Sequence, residues 1–402
     1  MERNLLKHRG VLPVIVTSQF FCTSLWFAGN AVVPDLIKVF GLPPHFLGYL
    51  TSCVQLGFIS GTLVFAILSV ADRFSPSKVF FVSAIIAASC NSGVVVCDIS
   101  VPAILLLRFL TGFFLAGIYP VGMKIVADHY EQPGRSLGFL VGALVLGTAL
   151  PHLLKNIGTH FSYEYVFAVT SVLALAGGMA VFFMVPDGPF RKKGQRLSFS
   201  AFRGSFRNTE LKAAAFGYFG HMWELYTFWA FVPVMFATYN VRYPDGHINT
   251  PLYSFLIIAS GALSCAGGGI LSRKFGVKRT AVVCLSLSGI CCMVSPLFLF
   301  VPNASHLLAF LFIWGMAVVA DSPMFSTLVA QHAPIASRGT TLTLVNCIGF
   351  SITIVSIQLL NTYTATIDPR YIYMLLGVGP VLGLLALYRY RSGKVGSSPI
   401  SQ

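Results

Sequence analysis

Apolar residues in this chain come in long unbroken runs separated by short polar stretches. Twelve such runs can be drawn, at about 11–37, 44–70, 78–98, 101–126, 135–157, 163–185, 212–239, 250–271, 280–301, 305–330, 338–361 and 370–389. A bilayer-crossing helix needs ~20 mostly apolar residues. A membrane β-barrel would instead show strands of ~10 residues with alternating polarity. The pattern predicts an all-α membrane protein of twelve transmembrane helices. The first run is too long for a signal-peptide core and no small-residue cleavage site follows it, so it is read as a helix.

Composition narrows the class. Of 402 residues, 55% are hydrophobic and 10% are charged, against about 25% charged in ordinary soluble domains. A soluble enzyme, a disordered chain and a secreted disulfide scaffold are excluded. The nine cysteines fall almost entirely within apolar runs, with no CxxC. They read as small packing residues, neither disulfides nor metal ligands. No cofactor and no metal site is expected.

The net charge of +14 raises nucleic acid as a partner, but its distribution argues for lipid. With the N-terminus inside, 22 of the 27 Lys and Arg fall on the cytoplasmic side: Arg3, Lys7, Arg9, Arg73, Lys78, Lys124, Arg135, Arg191, Lys192, Lys193, Arg196, Arg203, Arg207, Lys212, Arg273, Lys274, Lys278, Arg279, Arg338, Arg389, Arg391 and Lys394. Four (Lys38, Lys155, Arg242, Arg370) fall outside, and Arg108 lies within a run. That bias places both termini in the cytoplasm, with the basic loops against anionic headgroups. Nucleic-acid binding is excluded, since the charge sits in short loops between helices.

The longest loop, 186–211, divides a six-helix N-terminal bundle (1–185) from a six-helix C-terminal bundle with a short tail (212–402). Leu197, Phe199, Phe202 and Phe206 among polar residues fit a short amphipathic helix on the inner leaflet. A flexible basic linker is the alternative. The halves repeat each other. The loop 68–78 matches 269–279, with Arg273 falling 201 residues after Asp72. Gly112, Pro120, Arg135 and Trp26 recur as Gly315, Pro323, Arg338 and Trp229, each 203 residues on. Two six-helix units of the same orientation in the bilayer follow from this.

The paired loops resemble the major facilitator superfamily signature Gly-x-Leu-Ala-Asp-Arg-x-Gly-Arg-Arg. The second copy keeps Gly269, Leu271, Gly276, Lys278 and Arg279, with Arg273 at the acidic position. The first keeps Ala71, Asp72, Arg73 and Lys78 but has Leu68 and Ser75 in place of the glycines. Arg108-Phe109-Leu110-Thr111-Gly112 resembles the superfamily's Arg-x-x-x-Gly motif. Ser24-Leu25-Trp26-Phe27 and the segment Gly220–Tyr226 look like a bacterial subgroup, which implies an inner (plasma) membrane. The resemblance covers the whole chain and implies a monomeric transporter whose first and seventh helices line a central cavity. It also implies that the loop residues Asp72, Arg73, Lys78, Arg273, Lys274, Lys278 and Arg279 gate the inner face, with Asp72 as the acidic partner. Gly138, Gly142 and Gly147 resemble the fifth-helix motif of superfamily antiporters, but the Gly-Pro pair is missing at Gly147-Thr148.

Ionisable groups within a span cost at least ~2.5–3.5 kcal/mol each, so they face a cavity or a partner. Glu224 lies about 12 residues into the seventh run, ~18 Å deep at ~1.5 Å per residue, and His221 precedes it by one turn. The pair reads as a proton-carrying carboxylate with an imidazole relay, or as a structural contact between helices. Asp321, with Trp314 seven residues earlier, reads as a second protonation site, a contact for a cationic group, or a salt bridge near Pro323. In the superfamily an arginine at the place of Arg108 is linked to proton coupling; anion capture and a purely structural role are the alternatives. His152, beside Pro151, reads as interfacial.

Gln19, Thr23, Trp26 and Asn30 form one polar stripe on the first helix, which in a membrane means a helix partner or a water-filled cavity. Gln55 and Asn346 add hydrogen-bonding groups to such a cavity, and Trp223 could stack on a flat substrate or pack between helices. Trp229, near the outer end, reads as an interface anchor. His221 and Glu224 alone make no metal site. The expected function is secondary active transport of a small polar organic solute, driven by protons through Glu224, Asp321, His221 and Arg108. Proton-coupled efflux of drugs is the alternative. A sensor or an embedded enzyme is the competing class, and the sequence shows neither a sizeable soluble domain nor a nucleophile cluster.

Overall fold

The computed structural model describes residues 10–95, 99–131, 134–158, 161–191, 197–364 and 366–389, and every regular element among them is helical. The loop basics Lys192, Lys193 and Arg196, the terminal basics Arg3, Lys7, Arg9, Arg391 and Lys394, and Cys97 lie outside the described residues, as does the side chain of Arg135. The other eight cysteines are free thiols.

In chain order the long rods are α1 (Val11–Ala31), α2 (Phe46–Ile67), α3 (Pro76–Val95), α4 (Val101–His129), α5 (Gly134–Ile157), α6 (Tyr163–Met184), α7 (Thr209–Arg242), α8 (Thr250–Phe275), α9 (Val277–Phe298), α10 (Ala304–His332), α11 (Arg338–Tyr363) and α12 (Ile372–Arg389). Eleven are long and apolar enough to cross a membrane. The other, α7, has 34 residues but carries His221, Glu224 and a run of Tyr and Trp that lower its apolarity. The protein is an integral, multi-pass membrane protein.

The internal repeat is visible in how rods break and pack. α4 is interrupted between Leu115 and Tyr119, and α10 at Asp321. Pro120 and Pro323 stand just past these breaks; proline lacks an N–H and crowds the carbonyl four residues earlier, so neither rod continues smoothly. The close rod pairs α1·α5, α2·α4, α1·α6 and α3·α6 recur as α7·α11, α8·α10, α7·α12 and α9·α12. The first six rods meet the last six along α2·α11 and α5·α8.

Small residues set these approaches. A Cβ on Gly112 would lie 2.1 Å from the Val54 carbonyl oxygen, so α4 and α2 touch backbone to backbone. At the equivalent place, a Cβ on Gly315 would lie 2.8 Å from Ile257 Cγ2. In α5 only Gly147 works this way, against Thr23 and the Phe20 carbonyl of α1; Gly138 and Gly142 face open space. The close approach expected of the three glycines is thus confined to one.

The segment between the halves forms one short helix, Phe199–Ser205, capped by the Ser198 hydroxyl. Ser205 Oγ sits 3.1 Å from Ser337 Oγ at the start of α11, which fastens this helix to the bundle.

A stability test follows from the glycines. Gly112→Ala must displace a backbone carbonyl, and overpacking of this kind costs about 1–3 kcal/mol. Purified protein in detergent is expected to melt several degrees lower for Gly112→Ala, less so for Gly315→Ala, and unchanged for Gly138→Ala. Equal melting temperatures for Gly112→Ala and Gly138→Ala would show that the contact is not tight.

Candidate functional site

The charged residues within the rods occupy three separate places. In the first half, Arg108 of α4 is fully buried. Its guanidinium donates to Asn91 Oδ1 on α3 at 2.6 Å and to the carbonyls of Leu25 and Trp26 on α1 at 2.7 and 2.9 Å. Asn91 in turn donates to the Phe167 carbonyl and the hydroxyls of Thr170 and Ser171 on α6. Arg108 therefore clips four rods together. It is positioned as a fastener, not in contact with any other predicted coupling residue. Asn91 was the missed partner, and an asparagine inside an apolar run was its signal.

In the second half, Glu224 of α7 is also fully buried. Ser288 Oγ donates to its Oε2 at 2.9 Å; the Trp314 indole and the Cys292 thiol donate to Oε1 at 2.7 and 3.3 Å. An ionised carboxylate only accepts, and three donors from α9 and α10 meet that need. His221 does not serve Glu224. Its Nδ1 lies 2.8 Å from Asp321 Oδ1 instead. The approach is off the line of the ring N–H, so neither side chain forms an aligned hydrogen bond. The rings of Tyr218 and Phe325 flank the imidazole. Asp321 stands at the break in α10, and both members of the pair are buried. Of the two readings, cavity or partner, both carboxylates meet partners in this conformation: Ser288, Cys292 and Trp314 close round Glu224, and Asp321 faces His221, which Tyr218 and Phe325 flank.

Between the halves lies an aromatic seam. Trp26 of α1 stacks on Phe350 of α11, with ring centres 5.6 Å apart and planes at 25°. It also touches Phe58 of α2 and Tyr226 of α7. Trp229 packs on Tyr226 and meets Phe27 edge-on. Trp229 is only 1% exposed, so the interface-anchor expectation is corrected. Gln19, Thr23, Asn30 and Gln55 are likewise buried. Asn30 donates to Thr51 and Thr23 to the Gln19 carbonyl, whereas the carboxamides of Gln19 and Gln55 have no hydrogen-bond partner. Trp223 turns away from the seam and donates to the Leu375 carbonyl of α12. Asn346 accepts from Tyr218 at 2.5 Å within the second half. Phe58 and Phe350 gave no sequence signal, since the chain has 35 phenylalanines. His152 is 2% exposed, so it is interior rather than interfacial.

The loop residues pair within their own halves. Asp72 binds Lys124 at 3.0 Å, while Arg191 donates to the Asp72 and Phe74 carbonyls. Lys278 binds Glu210 at 2.9 Å. Lys274 lies over the Phe275 ring; Arg273 is in the last turn of α8, Arg279 and Lys78 are in the first turns of α9 and α3, and Arg73 ends the short helix Val70–Arg73. No ion pair among the described residues joins the halves. Among the described residues, three side-chain hydrogen bonds do join them. Asn249 donates to Asn156 Oδ1, Gln358 to Ser52 Oγ, and Asn361 to the His45 carbonyl, at 2.7, 2.8 and 2.8 Å. All lie at the rod ends where α5 and α11 finish and α2 and α8 begin.

A family model described as Major Facilitator Superfamily matches residues 15–357 and, in an overlapping placement, 215–399. An uncharacterized transporter of Schizosaccharomyces pombe is 32% identical over 37% of this chain and 29% of its own length. An efflux pump of Gibberella moniliformis is 26% identical over 46% of this chain and 32% of its own length. The match thus spans about a third of each curated relative. Two solved structures share the fold at 14% identity: the human organic anion transporter MFSD10 (TM-score 0.70, covering 94% of this chain and 99% of that one) and the proton:xylose symporter XylE (TM-score 0.74, 96% of each).

The donors around Glu224 make a sharp expectation. Glu224→Gln would turn an NH2 group toward at least one donor, leaving a buried polar group unsatisfied at a cost of about 1–3 kcal/mol. Trp314 fluorescence, read against a Trp314→Phe control, is expected to shift as the indole loses its carboxylate. An unchanged spectrum and melting temperature would show that Glu224 is not held this way.

Proposed function

Because the chain belongs to the major facilitator superfamily, we propose that it is a secondary transporter of a small polar organic solute, working by alternating access and coupled to protons. One observation carries the reading: the halves are joined by three neutral hydrogen bonds at one end, an aromatic seam in the middle and no ion pair among the described residues. Each such bond contributes about 0.5–1.5 kcal/mol. The polar part of the join at that end is therefore small against a substrate's binding energy. The charge bias of the loops makes this the outer end, with both termini cytoplasmic. The two bundles, 1–185 and 212–402, are the bodies that rock, and the linker 186–211 tethers them. The bacterial inner membrane rests on the sequence resemblance alone, since the relatives named above are fungal.

Proton coupling is assigned to the Asp321–His221 pair. Glu224 accepts from three donors, and Arg108 donates to three acceptors with only its Nε unpartnered, so both are read as struts. The pair has no aligned hydrogen bonds to lose and stands at a helix break, where a rod bends most easily. A proton there would neutralise the carboxylate and free the two side chains to separate. The basic loops would exchange partners as the inner face opens, with the Asp72–Lys124 and Glu210–Lys278 pairs as the contacts that bias it. Efflux of an apolar or cationic drug is the second reading, favoured by the named function of the Gibberella relative and by the aromatic seam.

Two measurements test this. In proteoliposomes holding a pH dye, a panel of organic acids, amines and sugars is added outside. Wild type is expected to move protons with at least one solute. Asp321→Asn is expected to lose that coupled movement while keeping solute-for-solute exchange; retention of coupling would remove the pair from the mechanism. Separately, the double variant Asn249→Ala/Asn361→Ala is expected to raise severalfold the rate at which a membrane-impermeant maleimide labels Gln55→Cys. No change in that rate would count against opening at this end.

A further inference from the structure

The chain has four tryptophans, and they divide cleanly. Trp223 and Trp314, both inside the second half, donate to the Leu375 carbonyl and to Glu224. Trp26 and Trp229, which both pack on Tyr226 in the seam, are each 1% exposed, and neither indole N–H has a hydrogen-bond partner. They are also equivalent positions of the repeat, 203 residues apart. A buried Trp N–H ordinarily finds an acceptor. An orphaned one costs about 1–3 kcal/mol, and in a bilayer no bulk water relieves it.

Nearby polar groups add to the pattern. Gln55 lies one turn before Phe58 on the same face of α2, is fully buried, and leaves both carboxamide atoms unpartnered. The backbone beneath Trp26 is fixed, because Arg108 holds its carbonyl at 2.9 Å. The rings are held in place while their donors go unused. Indole is donor-only, so what these groups lack is an acceptor. No carboxylate supplies it: Glu224 is taken by Trp314, Ser288 and Cys292, and Asp321 is beside His221.

We propose that this seam is the substrate site and that its ligand is a flat aromatic ring bearing a hydrogen-bond acceptor group, a carboxylate or a carboxamide. This rests on the transporter reading given above and names the substrate class for it. The ring enters between Trp26 and Phe350, which are already near parallel at 25°. The halves need part there by only about one ring thickness, ~3.5 Å. The acceptor group then takes the N–H groups of Trp26 and Trp229, with Gln55 as the third polar contact. A cationic ring is disfavoured, because it brings donors to a site that already has unused donors.

The probe is benzoate, read by titration calorimetry on the purified full chain and by exchange of labelled benzoate in proteoliposomes. Its comparators are cyclohexanecarboxylate, with the same charge but no flat ring, and benzyltrimethylammonium, with the ring but no acceptor. Benzoate is expected to bind saturably and the comparators at least tenfold more weakly. Trp26→Phe and Trp229→Phe, which keep a ring and lose the N–H, are expected to weaken benzoate about tenfold each. Melting curves confirm that these variants fold. Equal binding of either comparator, unaltered affinity in both variants, or no benzoate binding by folded wild type would each overturn the proposal. Maleimide labelling of Gln55→Cys in the Asn249→Ala/Asn361→Ala background needs no ligand. If labelling rises while benzoate fails, the transporter reading stands and the ligand class falls. If labelling does not rise, the opening itself is wrong.

Discussion

Inside a bilayer a polar group without a partner has no water to turn to. That constraint organises this protein. Within each half, polar side chains are spent on cross-helix bonds: Arg108 and Asn91 tie α1, α3, α4 and α6, and Glu224 ties α7, α9 and α10. Glycines let the rods come close enough for such bonds, as Gly112 does against Val54. Between the halves the same currency is scarce. Among the described residues, three neutral side-chain hydrogen bonds at one end and a set of aromatic contacts join them, along with the packing of α2 on α11 and α5 on α8.

The fold was largely legible. Long apolar runs announced the rods, and the recurrence of Gly112, Pro120 and Trp26 at a spacing of 203 announced the repeat. Pro120 and Pro323 even mark the places where α4 and α10 break. The rod that composition scores least well, α7, is the one that carries His221 and Glu224. Buried polar residues are the ones that weaken the apolar signal.

The partners of buried polar residues were not legible. His221 and Glu224 are one turn apart, and spacing alone joins them. Each has a partner on α10 instead, 100 residues on for His221 (Asp321) and 90 for Glu224 (Trp314), and Glu224 has two more on α9. α10 runs antiparallel to α7, so two contacts one turn apart on one rod meet two contacts two turns apart on the other. Local periodicity gives the face of a helix but not what is packed on it. The same limit hid Phe58 and Phe350, whose place in the seam depends on how α2 and α11 meet.

The duplication also shows where the halves diverge. Arg108 corresponds to Leu311 and Glu224 to Phe21 at the spacing of the repeat. One half is thus fastened by a cation that finds carbonyls, the other by an anion that finds donors. His221 and Asp321 correspond to Ser18 and Ile118, so the first half has no titratable pair at that place. The packing scheme is shared, but this buried imidazole–carboxylate pair belongs to the second half. Under the proposed coupling, a shift in protonation there would alter one body while the other keeps its shape. That is the condition under which a local proton event becomes relative movement of two otherwise similar bundles, rather than a symmetric loosening of both.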